Sequence, residues 1–236
     1  MKQLVIIIAL VLTGTGVTAQ INLNKIKQAV TQSSLSGEEA GAGLKEALIL
    51  GAAKGSDLVS QVDGYYQNPQ IKIPFPPEVR NVETKLRQIG MGAEVDKFVL
   101  ALNRAAEDAA KEAKPVFVSA IKQMTIQDAF GILKGQPDAA TQYLKKTTSA
   151  ELTQKFKPII QQSLAKVNAT QYYSSLVNTY NKIPLVKKVN PSLDDYATTK
   201  ALDGLFLMVA QEEKNIRQNP QARTTALLKK VFASQR

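Results

Sequence analysis

A chain of 236 residues, 44% hydrophobic and 21% charged, is long enough to bury a substantial core in a single domain. It contains no Cys, His or Trp, which excludes disulfides, Ser-His-Asp triads, thiol nucleophiles and the usual zinc sites; no cofactor is expected. The formal charge of +10 is uneven: residues 20–118 carry 12 basic and 12 acidic side chains, whereas residues 119–236 carry 17 and 8. That asymmetry predicts a basic face on the C-terminal half, suited to an anionic partner.

The first residues have the layout of a secretory leader. Met1-Lys2 is a short positive region, Leu4 to Leu12 is apolar, and Val17 and Ala19 are small residues ahead of Gln20. The apolar run is too short to span a bilayer, and no cysteine follows it to carry a lipid. The expectation is a signal peptide over 1–19, an N-terminal arm over 20–35 and an all-α domain over 36–236. The protein is then exported, periplasmic and soluble, and not a lipoprotein.

From there nearly every segment has helical period. Ser36 and Glu39 have capping-box spacing ahead of a helix running to about Ser60, along which Ala47, Gly51 and Gly55 mark a seam for close packing of a second helix. Ile71-Lys72-Ile73-Pro74-Phe75-Pro76-Pro77 is predicted extended, its alternating apolar residues forming a strap on the core, or else a linker. Pro77 opens the next helix and Gly90 closes it. Val95, Phe98, Val99, Leu102, Ala105 and Ala109 mark a longer helix that Pro115 interrupts. Thr125 and Asp128 start another, a short one runs from Pro137 to Lys146, and Thr148 with Glu151 suggests a second capping box before a helix to about Val167.

Tyr172, Leu176, Val177 and Tyr180 give one face of a further short helix, and a last one follows Pro220 with Leu227, Leu228, Val231 and Phe232 inward. Between them lies the most apolar stretch, Ala201 to Ala210, which predicts a central helix over 193–218 with others packed around it. About ten helices are expected in one all-α globule.

Several strings are specific together: Leu102-Asn103-Arg104-Ala105-Ala106-Glu107, Ala113-Lys114-Pro115-Val116-Phe117, Ala120 to Thr125, Asp138 to Tyr143, Lys200 to Met208 and Ala222 to Thr225. In these the chain resembles the bacterial domain-of-unknown-function family 4197, from about Ser36 to Phe232. The resemblance implies an exported helical bacterial protein. It implies no activity, so it assigns no catalytic residue.

The candidate chemistry lies in polar residues inside apolar helices. Asp203 interrupts the central helix, and a buried unpaired carboxylate costs several kcal/mol. Arg104 is the expected partner. Asn103 and Glu107 stand on the same helix, four residues apart, and Arg104 is three from Glu107. This cluster is read either as a structural polar lock or as the lining of a ligand cleft. Asp194 and Asp195 are read as acids opposing a helix dipole and not as a calcium site. Tyr143, Lys145, Lys146, Lys155 and Lys157 form a candidate anion-binding patch, which Lys182, Lys187, Lys188, Lys229 and Lys230 extend if the fold gathers them.

The leading functional expectation is a non-enzymatic binding or interaction protein of the bacterial envelope. It takes a small or lipid-like ligand in a helical cleft, or an anionic envelope component through its basic half, with nucleic acid disfavoured. The alternative is a carboxylate-dependent hydrolase of cell-wall or other glycan, using a pair such as Glu107 with Asp203 or with Asp128.

Overall fold

Long runs of good helix formers, punctuated by Pro and Gly at the intended breaks, produce an all-α chain. The computed structural model describes residues 37–182, 184–185, 187–223, 225 and 229. The predicted leader, the N-terminal arm, the Ser36 cap and the apolar face of the last predicted helix lie outside the described residues. The described helices are α1 Gly37–Ser60, α2 Arg80–Gln88, α3 Gly92–Ala110, α4 Ala113–Gln123, α5 Ile126–Lys134, α6 Ala139–Ala165, α7 Ala169–Tyr180 and α8 Leu193–Gln218. Short 3-10 turns occupy Pro77–Val79 and Pro220–Ala222. Joined where they run into one another, these stretches make seven helices, fewer than the ten or so expected.

Most boundaries have a visible cause. Thr125 caps α5 by a reciprocal box: Asp128 N–H donates to Thr125 Oγ1 and Thr125 N–H to Asp128 Oδ2, both at 3.0 Å. Gly90, at φ +88°, follows α2 in the left-handed region that glycine adopts freely. The break between α3 and α4 falls at Lys111-Glu112. Pro115 therefore sits in the first turn of α4, where a missing N–H costs nothing.

The second capping box is corrected. Thr148 lies mid-helix, where its hydroxyl donates back to Leu144 O at 2.6 Å, and the two predicted helices fuse into the 27-residue α6. Pro158 lies inside that helix and does not end it.

The segment between α1 and α2 is a strap. Ile71, Ile73 and Phe75 are buried while Lys72 and Pro74 face solvent, as the alternation requires. Tyr65, fully buried, precedes them and donates its hydroxyl to Ala201 O on α8 at 2.6 Å.

Helix α8 packs on α1, α3, α6 and α7. The seam with α1 uses the predicted small residues. A methyl group added at Gly55 would lie 3.1 Å from Val209 Cα, and one at Gly51 would lie 3.0 Å from Ile216 Cδ1. Such spacing lets the helix backbones come close. The helix is not wrapped on every side, however. Ala201, Leu205, Phe206, Met208 and Val209 are buried, whereas Asp203 and Leu207, four apart, form part of an outward stripe. The expectation of a buried Asp203 is wrong: its side chain is 54% exposed, with Lys200 Nζ at 3.6 Å.

Candidate functional site

Two buried polar assemblies and the lysine-rich sequence of the C-terminal half are the candidates. The first is centred on α3. Asn103 and Glu107, one turn apart on the same face, point into the core, where α-helical and strap residues surround them. Asn103 pairs with the strap as a neighbouring strand would: Ile73 N–H donates to Oδ1 at 2.8 Å, and Nδ2 donates to Ile73 O at 2.9 Å. Nδ2 also reaches Val99 O at 2.7 Å. Glu107 Oε1 accepts from the N–H groups of Tyr65 and Tyr66, each at 3.1 Å.

Glu107 Oε2 receives Arg104 Nη1 at 2.6 Å, and Arg104 Nη2 donates to Asp63 Oδ1 at 2.7 Å. The predicted pairing of Arg104 with Asp203 is therefore corrected. The guanidinium turns to Asp63 at the end of α1, and Asp203 faces solvent. The hydrogen bond it donates to Glu107, then the one it donates to Asp63, keeps the Arg104 guanidinium firmly charged, its pKa raised above the ordinary arginine value. Burial pushes the Tyr65 phenol far above its usual range, with Glu107 adding to the effect, so it serves as a donor. Asn103, Arg104 and Glu107 thus act together, with Asp63 as the member that sequence reasoning missed. Only the fold brings Asp63 back onto α3.

The second assembly was not anticipated at all. Glu213, in the last third of α8, is buried and accepts from Ala140 N–H (3.0 Å), Thr141 N–H (2.9 Å) and Thr141 Oγ1 (2.9 Å). It thereby supplies a carboxylate to the N-terminal turn of α6, where a negative charge is favoured. Arg217 holds the same carboxylate, with Nη2 to Oε1 at 2.8 Å, and donates to Ile132 O (2.8 Å) and Leu133 O (3.3 Å) at the end of α5. The signal was present in the spacing. Leu205, Val209 and Glu213 recur every fourth residue on the inward face, with Arg217 next in register.

Beside this pair lies an apolar cleft of about 30 Å³, lined by Leu44, Leu48, Ile132, Leu144, Val209 and Ile216. That is room for about one water, whereas small-molecule sites run to about 300–1,000 Å³.

The predicted anion patch is spread along α6. Tyr143 is half-buried against the core, its phenol raised by burial and then by Asp128. Lys145 and Lys157 stand twelve residues apart on one helix, about 18 Å. Lys157 is taken by the start of α8, with Nζ 2.6 Å from Asp195 Oδ1 and 3.7 Å from Asp194 Oδ2, and Lys155 lies 3.8 Å from Glu112. The Lys157 hydrogen bond holds the Asp195 carboxyl below its usual value. Burial pushes Asp194 up, but hydrogen bonds from Ser192 and Gln161 outweigh it and leave it lowered as well. Among the described residues, no group of three His, Cys, Asp or Glu side chains is placed to hold a metal ion.

What remains open to an anion lies further along. Residues 152–193 contain six lysines and no Asp or Glu. Of these, Lys166, Lys182, Lys187 and Lys188 are exposed and make no ion pair among the described residues. No helix among the described residues is long and apolar enough to cross a membrane.

The fold defines an all-α chain with satisfied polar clamps, whose C-terminal half is rich in lysine by sequence. The chain belongs to the family described as "Protein of unknown function (DUF4197)", whose model matches residues 34–233. No curated protein and no solved structure gives a significant match.

Proposed function

We propose that this chain is an exported, non-enzymatic binding protein of the bacterial envelope that engages an anionic surface through its C-terminal half. Export rests on the leader-like pattern of residues 1–19. The observation that carries the binding reading is the acid-free stretch 152–193, with four lysines left to solvent once Lys155 and Lys157 have found carboxylates. A positive surface with no internal counter-charge attracts polyanions, and the attraction is screened by salt.

The cleft reading has less support, because the apolar cleft beside Glu213 holds about one water. The hydrolase alternative needs two facing free carboxylates. Glu107 has both oxygens engaged, by the strap amides and by Arg104, and Asp203 sits beside Lys200 on the solvent side.

Retention on immobilised dextran sulfate tests the proposal. The chain is expected to bind at about 0.05 M salt and to elute well before 1 M, as the screening length shrinks several-fold. The Lys166→Gln/Lys182→Gln/Lys187→Gln variant is expected to elute earlier. Equal retention of variant and parent would refute the assignment to this half.

A further inference from the structure

Where the basic stretch is most exposed it also carries an apolar point. Between α7 and α8 the chain passes through a loop pinched at its neck by one side chain. Asn181 Nδ2 donates to Val189 O and Val189 N–H donates to Asn181 Oδ1, both at 2.8 Å. Lys188 Nζ donates to Asn181 O across the same neck. Beyond the neck, Pro184 and Leu185 face solvent, and Leu185 is the most exposed large hydrophobic residue among those described, at 107% against 77% for Val62.

A lone exposed leucine is ordinary and means nothing by itself. Leu185 also has φ +65°, in the left-handed region that a branched side chain adopts only under constraint. Strain held in place by surrounding structure is a feature of sites that present a group to a partner. The charges nearest it along the chain are of one sign. Lys182, Lys187 and Lys188 lie within three residues of Leu185, and the nearest acid along the chain is Asp194.

We propose that this tip docks the protein on an anionic lipid bilayer. Leu185 enters the boundary between headgroups and acyl chains, and Lys182, Lys187 and Lys188 lie at the level of the lipid phosphates. The inference rests on the anionic-surface reading above and names the surface. A soluble polyanion offers the lysines partners but gives Leu185 nowhere to go, whereas a bilayer satisfies both. The lysine stems add apolar contact as they reach up to the phosphates.

The absence of tryptophan makes the test direct. Leu185→Trp places the only indole of the chain at the tip. Its emission is expected to shift to the blue, and to be shielded from acrylamide, with vesicles of phosphatidylglycerol and phosphatidylcholine. Neither change is expected with phosphatidylcholine alone or with dextran sulfate. Leu185→Asn removes the apolar point but suits the left-handed backbone. It is expected to weaken binding to the anionic vesicles roughly tenfold to a hundredfold, with retention on dextran sulfate unchanged.

The Lys182→Gln/Lys187→Gln pair is expected to weaken both, by roughly fivefold per lysine on vesicles. Helical circular dichroism checks that each variant is folded. An indole that stays fully quenched with anionic vesicles, or a Leu185→Asn chain that binds them like the parent, overturns the tip while dextran sulfate retention still stands. A parent chain that binds neither vesicles nor dextran sulfate overturns both the tip and the surface reading.

Discussion

Asn103 shows how a single side chain substitutes for an element the fold lacks. It donates to and accepts from the backbone of Ile73, as a strand neighbour would, in a region from which water is excluded. Replacing it by leucine keeps the branched outline but leaves the Ile73 N–H and C=O unpaired. Asn103→Leu should therefore cost about 2–5 kcal/mol, read as a fall in the urea midpoint. Asp194 is a residue of a different kind, a lowered carboxyl at the start of α8 held by Ser192 and Gln161. Its folded pKa lies below the unfolded one, so its contribution is present above about pH 4 and is lost as pH falls through the folded value. Asp194→Asn should destabilise by about 1–3 kcal/mol at pH 7, and the gap from the parent should narrow as the pH is lowered below about 4 in paired urea titrations.

Among the elements, Tyr65 and the strap lie close against α8 at Gly204. A methyl group at Gly204 would fall 2.6 Å from Tyr65 Cε1 and 3.1 Å from Ile71 Cβ. Gly204→Ala should cost about 1–3 kcal/mol in chemical denaturation. Gly131→Ala, on α5 with nothing within 4 Å of the added atom, is the matched control and should be neutral or slightly stabilising. Periodicity and punctuation made the helices readable in the sequence: α8 and the end of α1 fall where the pattern places them, and the strap alternates as its isoleucines predict. Two things escaped. Thr148 with Glu151 imitates a cap because the same spacing arises by chance inside a long helix. The facing of Asp203 depends on helical phase, and an almost wholly apolar run carries too little contrast to reveal it. The partner of Arg104, Asp63, is 41 residues away, and no local pattern connects them.

At the scale of the whole molecule the charge distribution is the feature that composition announced and the ion pairs refined. The N-terminal half balances itself, whereas the C-terminal half has more lysine than its own carboxylates can meet. The lysines singled out as a patch on α6 are partly neutralised, by Glu112 and by the start of α8, so the open positive charge moves to Lys166 and the loop before α8. On the proposed reading, the salt sensitivity of anion binding belongs to that end of the molecule. Neutralising Lys166, Lys182 and Lys187 should lower the salt concentration for elution more than neutralising Lys155 and Lys157, since the latter pair already has counter-charges.

The strap has a bearing on behaviour in a crowded compartment. An extended apolar segment is ordinarily a template on which another chain can add a strand. Here the N–H groups of Ile71 and Lys72 turn back to Asn68 O, and that of Ile73 is held by Asn103. Pro74, Pro76 and Pro77 have no N–H to offer. The segment keeps the burial of a strand without offering a second chain the row of donors on which aggregation begins.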